Sequence, residues 1–131
     1  MKLSALLLLV LSLTLFSCQE SFDKRCQREA IEYTAKFCPQ NVAPGITMDS
    51  MTYDIPARTM TYYYSIAKEL DNQEVINKNA EEFKGAMLNS IKNSLELKRC
   101  KDEGIIFKYI YRSSTTRKEL LNITFTEKDY K

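Results

Sequence analysis

The side chains that could do chemistry in this 131-residue chain are carboxylates, tyrosines and cysteines, because histidine is absent. The lack of histidine removes the commonest general base, the Ser-His-Asp and Cys-His arrangements, and the usual ligands of catalytic zinc. The three glycines are too few for a glycine-rich phosphate loop. The sequence therefore predicts no catalytic residue, no metal site and no cofactor, and we expect a protein that is not an enzyme.

Two pairs of adjacent acidic residues, Glu81-Glu82 and Asp102-Glu103, are the candidates for carboxylate catalysis. A glycosidase needs two carboxyl groups held about 5–9.5 Å apart across a cleft. Adjacent residues on a helix point in different directions, so these pairs are typical of a solvated helix face. A small carboxylate-dependent hydrolase is an alternative that would require a concave pocket lined by close acids.

Five tyrosines fall in two short segments that also contain basic residues: Tyr62, Tyr63, Tyr64, Tyr109 and Tyr111. Aromatic rings between cations can stack nucleic-acid bases or sugars. In alternating strands, four of these rings would instead face the apolar core, which leaves Tyr63 beside Lys108 on the open face. A net charge of only +2 also argues against a nucleic-acid partner. We therefore predict that Tyr63 and Lys108 form part of an interaction face for a protein.

The N-terminus predicts export. One lysine precedes a largely apolar run from Leu3 to Phe16. That run is too short to span a bilayer, which needs about 20 residues. A charged start followed by an apolar stretch predicts a signal peptide over residues 1–17.

The end of that run, Leu15-Phe16-Ser17-Cys18, resembles the lipobox of bacterial lipoproteins. The resemblance implies that Cys18 becomes the first residue of the mature protein and carries a diacylglycerol and an acylated amine. Two or three acyl chains give a lasting membrane anchor. We therefore expect a lipid-anchored protein of the bacterial cell envelope, in the periplasmic or surface leaflet of the outer membrane. A soluble secreted product cleaved nearby is the alternative.

From the lipidated cysteine onward, the chain is predicted to hold a polar tether over residues 18–23 and one domain over residues 24–131. No internal repeat or shift in composition divides this second segment.

The hydrophobic periods predict the fold of this domain. A 3.6-residue period predicts helices over residues 24–37, with Asp23 as the N-cap, and over about 73–100. Alternation of apolar and polar residues predicts two β-hairpins, over residues 51–66 and 105–126. The order α-β-β-α-β-β favours an α+β two-layer sandwich, with a four-stranded antiparallel sheet and both helices on one face.

Several short motifs occur around the predicted hairpins: Pro39, Val42, Met48-Asp49-Ser50, Tyr62-Tyr63-Tyr64, Gly104 and Phe107-Lys108-Tyr109-Ile110-Tyr111. Together they resemble the pattern of a loose family of small, uncharacterised bacterial envelope proteins. The resemblance covers about residues 30–126, implies the same α-β-β-α-β-β pattern and compartment, and implies no activity. That family pattern pairs a cysteine in the second helix with one near the C-terminus, and here those places fall near Lys92 and Asp129.

Three cysteines remain for the fold if Cys18 is lipidated, so at most one intramolecular disulfide can form in an oxidising compartment. Cys26 and Cys38 would lie about 18 Å apart along one helix, too far for a bond. Antiparallel helices would bring the start of the first near the end of the second, which favours Cys26–Cys100. Pairing of Cys38 with Cys100, or no disulfide at all, remains open.

Together, these patterns predict an envelope-anchored lipoprotein that acts by binding, as an accessory module for an unidentified protein of the envelope. A periplasmic inhibitor or immunity-like protein, which would block a wall-active enzyme, is one alternative. The small hydrolase is the other.

Overall fold

A computed structural model describes residues 19–131 of the chain. The predicted signal peptide, residues 1–17, and the predicted lipidation site, Cys18, lie outside the described residues. Among residues 19–131, no helix combines the length and the apolar character needed to cross a bilayer.

Residues 19–131 form four α-helices and five strands. The helices are α1 (Phe22–Phe37), α2 (Gln73–Asn93), α3 (Lys98–Asp102) and α4 (Glu127–Tyr130). The strands are β1 (Gln40–Ala43), β2 (Ile46–Asp54), β3 (Thr59–Ile66), β4 (Ile106–Ser113) and β5 (Glu119–Phe125). The predicted α+β class is therefore confirmed.

The first helix begins two residues before its predicted start. The Ser21 side chain accepts a hydrogen bond of 3.3 Å from the backbone N–H of Lys24 and so provides the N-cap, not Asp23 as predicted. Asp23 lies instead in the first turn, where its negative charge complements the helix dipole. The helix thus starts inside the segment that was predicted to be a tether, residues 18–23.

The predicted second helix, residues 73–100, is two helices. The first of them, α2, ends because Ser94 takes an extended conformation, with φ −72° and ψ 119°. The Ser94 hydroxyl then accepts a hydrogen bond of 3.3 Å from the N–H of Leu97, which closes a turn ahead of α3. This break redirects the chain, so that Cys100 lies on a separate short helix.

The sheet has five strands in the order β1-β2-β3-β4-β5, so the prediction of four antiparallel strands was wrong. The additional strand, β1, pairs antiparallel with the start of β2, with Gln40 opposite Met48. The two central strands, β3 and β4, are parallel. Their connection explains the direction, because α2 carries the chain back along the sheet before β4 begins. A crossover of this kind joins parallel neighbours, whereas a hairpin joins antiparallel ones.

The hydrophobic core lies between the helices and one face of the sheet. Phe107 and Phe125, on neighbouring strands, are fully buried at its centre. The other buried members of this core are Cys26, Ala30, Tyr53, Met60, Ile91, Ile105, Ile123 and Tyr130. Residues from α1, α2 and α4 therefore contact the same sheet face. In each strand, the residues that alternate with the core residues point to the opposite face.

Candidate functional site

Four of the five clustered tyrosines lie on the core side of the sheet, as alternation predicts. The ring of Tyr62 stacks on that of Tyr109, with centroids 4.8 Å apart, and Tyr64 stacks on Tyr111 at 4.7 Å. Both pairs follow from the parallel register of β3 and β4, which places each ring directly beside its partner. Burial raises the pKa of all four hydroxyls, that of Tyr64 to about 12. These rings form an internal stack and not a platform for bases.

The fifth tyrosine, Tyr63, lies on the opposite face, which we call the polar sheet face. It is half-buried, and the guanidinium carbon of Arg112 lies 5.4 Å from its ring centroid. The predicted second residue, Lys108, is on the same face of the adjacent strand and is also half-buried. The structure thus places both predicted residues on one face and adds Arg112. Three residues of this face, Thr61, Ser65 and Ile110, are buried. The face includes Ser50, Thr52, Thr61, Tyr63, Ser65, Lys108, Ile110, Arg112, Asn122 and Thr124.

Charges on the polar sheet face are only partly balanced. Arg112 lies opposite Glu119 in the register of β4 and β5. At one end, the Ser65 hydroxyl donates a hydrogen bond of 2.5 Å to the Asp49 carboxylate. Within residues 19–131, Lys108 has no carboxylate within ion-pair distance.

Sequence reasoning missed Arg112 as a member of the face. The signal was present, because Arg112 has the same strand parity as Lys108. The sequence did not reveal the parallel register of β3 and β4. That register places Arg112 beside Ser65, and the Arg112 guanidinium lies over the ring of Tyr63.

An ionic network at the opposite end of the sheet joins α1, the β2–β3 turn and the end of α3. The Asp23 carboxylate accepts a hydrogen bond of 2.5 Å from the Tyr53 hydroxyl and one of 3.1 Å from Arg58 Nε. Arg58 Nη1 donates to the carbonyl oxygen of Glu103 at 3.0 Å. The Tyr53 hydroxyl, followed by Arg58, lowers the pKa of Asp23. This carboxylate is therefore held ionised as a structural contact.

The paired acids do not form a catalytic centre. Glu81 and Glu82 are both exposed on α2. Asp102 forms an ion pair of 2.6 Å with Lys98, and Glu103 forms one of 3.4 Å with Arg58. Within the described range 19–131, no group of three His, Cys, Asp or Glu side chains is arranged to hold a metal ion.

Two other carboxylates, those of Asp71 and Glu119, line one polar surface groove. Hydrogen bonds from Ser113 and Thr115 lower the pKa of Asp71. A general acid needs its pKa raised towards neutrality, so this shift has the wrong sign for that role. The Glu119 carboxylate accepts a hydrogen bond of 3.2 Å from the Asn122 side chain. The groove therefore does not support the hydrolase alternative.

A cavity of about 140 Å³ lies between the first half of α2 and the sheet, and no sequence pattern predicted it. It is almost wholly apolar; its walls include Ile46, Ile66, Val75, Ile76, Phe83 and Tyr111. Apolar positions in a sequence identify a core side but not whether the core is completely filled.

The family profile for Domain of unknown function (DUF8479) matches residues 21–121, from the N-cap of α1 into β5. The chain belongs to this family. Its description names no activity, and no curated protein matches the chain.

Two solved structures share the fold of this DUF8479 protein. A Pseudomonas aeruginosa protein described as secreted superposes with a TM-score of 0.72 at 14% identity, over 86% of this chain and 100% of its own. A pilotin of the type 2 secretion system from Vibrio vulnificus superposes with a TM-score of 0.63 at 10% identity, over 83% and 91%. At such identities the likeness concerns the fold, and neither description names an enzymatic activity.

Proposed function

We propose that this DUF8479 protein is a non-enzymatic accessory lipoprotein of the bacterial cell envelope, and that it binds another envelope protein through the polar sheet face. Its fold neighbours are described as a secreted protein and as a pilotin of a secretion system, which supports an envelope role. The absence of histidine and the ion-paired acids support binding in preference to catalysis.

The observation that carries the proposal is the stack of Arg112 on Tyr63 beside Lys108. Tyrosine and arginine are enriched among the residues that dominate binding energy at protein interfaces. The Tyr63 ring has few rotatable bonds and holds the guanidinium over it, so less side-chain freedom is lost on binding. The exposed side chains of Thr52, Asn122 and Thr124 can form the polar rim of an interface.

The position of α1 supports a site of action close to the membrane. The helix begins at Phe22, only four residues after Cys18. Four residues span at most about 14 Å even when fully extended. A lipid on Cys18 would therefore hold this domain against the bilayer surface, and its partner would be a protein at the same membrane.

The partner is tested by affinity capture of the tagged full-length chain from detergent-solubilised envelopes of the source bacterium, with co-purifying proteins quantified by mass spectrometry. We expect a protein recovered with the wild type to fall by roughly tenfold or more with the double variant Tyr63→Ala/Lys108→Ala, because loss of a hot-spot residue costs about 2 kcal/mol or more. Its control is Tyr33→Ala/Lys36→Ala, which removes the same residue types from α1 and should leave recovery unchanged.

Equal recovery with both double variants would contradict binding through the polar sheet face. A tight stoichiometric complex with a wall-active enzyme would favour the inhibitor alternative over the accessory role. Thermal melts of both variants ensure that reduced recovery reflects the surface and not unfolding.

The anchor has its own test. We expect the exported wild-type protein to fractionate with membranes and to carry the mass of a diacylglycerol and an acyl chain on Cys18. The Cys18→Ser variant should lose that added mass, because serine offers no thiol for the thioether. An unmodified Cys18 in wild-type protein recovered from the envelope would overturn the lipoprotein proposal.

A further inference from the structure

We propose that Cys26 and Cys100 are joined by a disulfide in the exported protein, and that this bond links α1 to α3. Both residues, with Cys38, are free cysteines in the structure. Cys26 is 4% exposed within the core, and Cys100 packs against the same core from the other helix. Both side chains therefore lie in the same cluster, where the start of α1 and α3 meet.

Contacts on either side of the two thiols hold α1 and α3 together. One turn before Cys26, the ring of Phe22 lies 5.3 Å from the guanidinium carbon of Arg99, the neighbour of Cys100. Arg58 also links the two segments. It donates to the Asp23 carboxylate in the first turn of α1 at 3.1 Å and to the Glu103 carbonyl oxygen just after α3 at 3.0 Å. These contacts hold the start of α1 and the segment around α3 together beside the two cysteines, and a disulfide requires such proximity.

The third cysteine, Cys38, is not a competing partner. It lies at the opposite end of α1, where it forms the C-cap of the helix. Twelve residues of helix separate it from Cys26, a rise of about 18 Å. Because Cys100 is next to Cys26, Cys38 is also far from Cys100 and stays a thiol. This placement favours Cys26–Cys100 over Cys38–Cys100, the other pairing that the sequence left open.

Formation of the bond is a two-electron oxidation. The Cys100 sulfur, the more exposed of the two, attacks the disulfide of an oxidised thiol–disulfide exchange protein in the envelope, and a thiolate of that oxidant leaves. Cys26 then attacks the mixed disulfide at Cys100, forms the intramolecular bond and releases the second thiolate. Two protons leave the protein thiols, and the oxidant gains two electrons. Burial raises the pKa of Cys26 to about 12 and also raises that of Cys100, so we expect exchange to speed up with pH.

The bond would change how the domain responds to its attachment. The polypeptide reaches the proposed lipid through the start of α1, so a pull on the anchor acts on this helix first. A disulfide to α3 would transmit that force past β1, β2 and β3 into the second half of the domain. It would also keep α1 in place during local opening of the N-terminal region.

The first experiment maps the thiols of full-length protein exported to the periplasm and recovered from membranes. The sample is denatured and alkylated before any reduction, then digested for mass spectrometry. We expect a linked pair of peptides that contain Cys26 and Cys100, and an alkylated Cys38. Recovery of alkylated Cys26 and Cys100 from unreduced protein would overturn the proposal, and so would a peptide pair that contains Cys38. This mapping uses the wild-type chain and does not depend on the folding of a variant.

The second experiment compares thermal melts with and without dithiothreitol. We expect the reductant to lower the Tm of the wild type and of Cys38→Ser, but not that of Cys26→Ser/Cys100→Ser. The same response to dithiothreitol in all three proteins would contradict the bond. Neither experiment involves the partner, so failure here is distinct from failure of the proposed function.

Discussion

Replacing Phe107 by alanine should lower the free energy of unfolding by about 3–5 kcal/mol, the usual cost for a buried phenylalanine. Phe107 is fully buried, and its register neighbours are Met60 on β3 and Phe125 on β5. Its ring also meets that of Tyr130 edge to face, with centroids 5.6 Å apart. The substitution removes these contacts and leaves a cavity that strands paired on both sides cannot close.

A loss of this size is a large part of the about 5–15 kcal/mol that stabilises a domain. Urea unfolding monitored by circular dichroism measures it as a fall in the transition midpoint. Phe37→Ala is the matched control, because Phe37 at the end of α1 is 49% exposed. We expect its cost to be about 1 kcal/mol or less, since much of the ring already contacts water. Equal losses for the two variants would contradict the assignment of Phe107 to the centre of the core.

The side-chain pattern of the sheet could be predicted because alternation has a period of two regardless of strand direction. That period assigns Tyr62 and Tyr64 to the core and Tyr63 to the opposite face, and the structure agrees. Strand direction could not be predicted in this way. Both hairpins show the same alternation whether β3 and β4 run parallel or antiparallel, and only the path of α2 decides.

Two local features were missed for different reasons. β1 spans only four residues, and three of them are exposed, so it has no apolar alternation to recognise. The break between α2 and α3 occurs in a stretch without glycine or proline, and the apolar period of α2 continues from Ile91 to Leu95. Leu95, in that break, is 86% exposed, which the helical pattern does not predict.

The candidate site was predictable in position but not in composition. Strand parity places Tyr63 and Lys108 on one face, whereas the contact of Arg112 with Tyr63 depends on the register between strands far apart in sequence. For Cys26 and Cys100, likewise, the place where they meet was predictable but the element that carries Cys100 was not. The expectation that the helices meet at that end was sufficient to favour the pair, although Cys100 lies on a separate helix that was not predicted.

Gly45→Ala should destabilise the domain by about 1–3 kcal/mol from backbone strain, since a non-glycine residue held at positive φ costs this much. Gly45 joins β1 to β2 with φ +73°, and its carbonyl oxygen accepts a hydrogen bond of 2.8 Å from the Ala67 N–H. A Cβ added there would lie 2.9 Å from the Ala67 carbonyl oxygen. That oxygen belongs to the backbone just after β3, so it cannot move aside as a flexible side chain would, and the clash adds to the strain.

The control is the same substitution at Gly85, within α2. Apart from its chain neighbours and the backbone of α2 itself, no atom lies within 4 Å of a Cβ built on Gly85, whose backbone is helical. Alanine restricts the unfolded chain and favours the helix, so Gly85→Ala should raise the free energy of unfolding by about 0.5–1 kcal/mol. The two variants gain the same methyl group and should move the urea midpoint in opposite directions. Stabilisation by Gly45→Ala would show that the β1–β2 turn does not have the conformation described. It would then also contradict the pairing of β1 with β2 as the fifth strand.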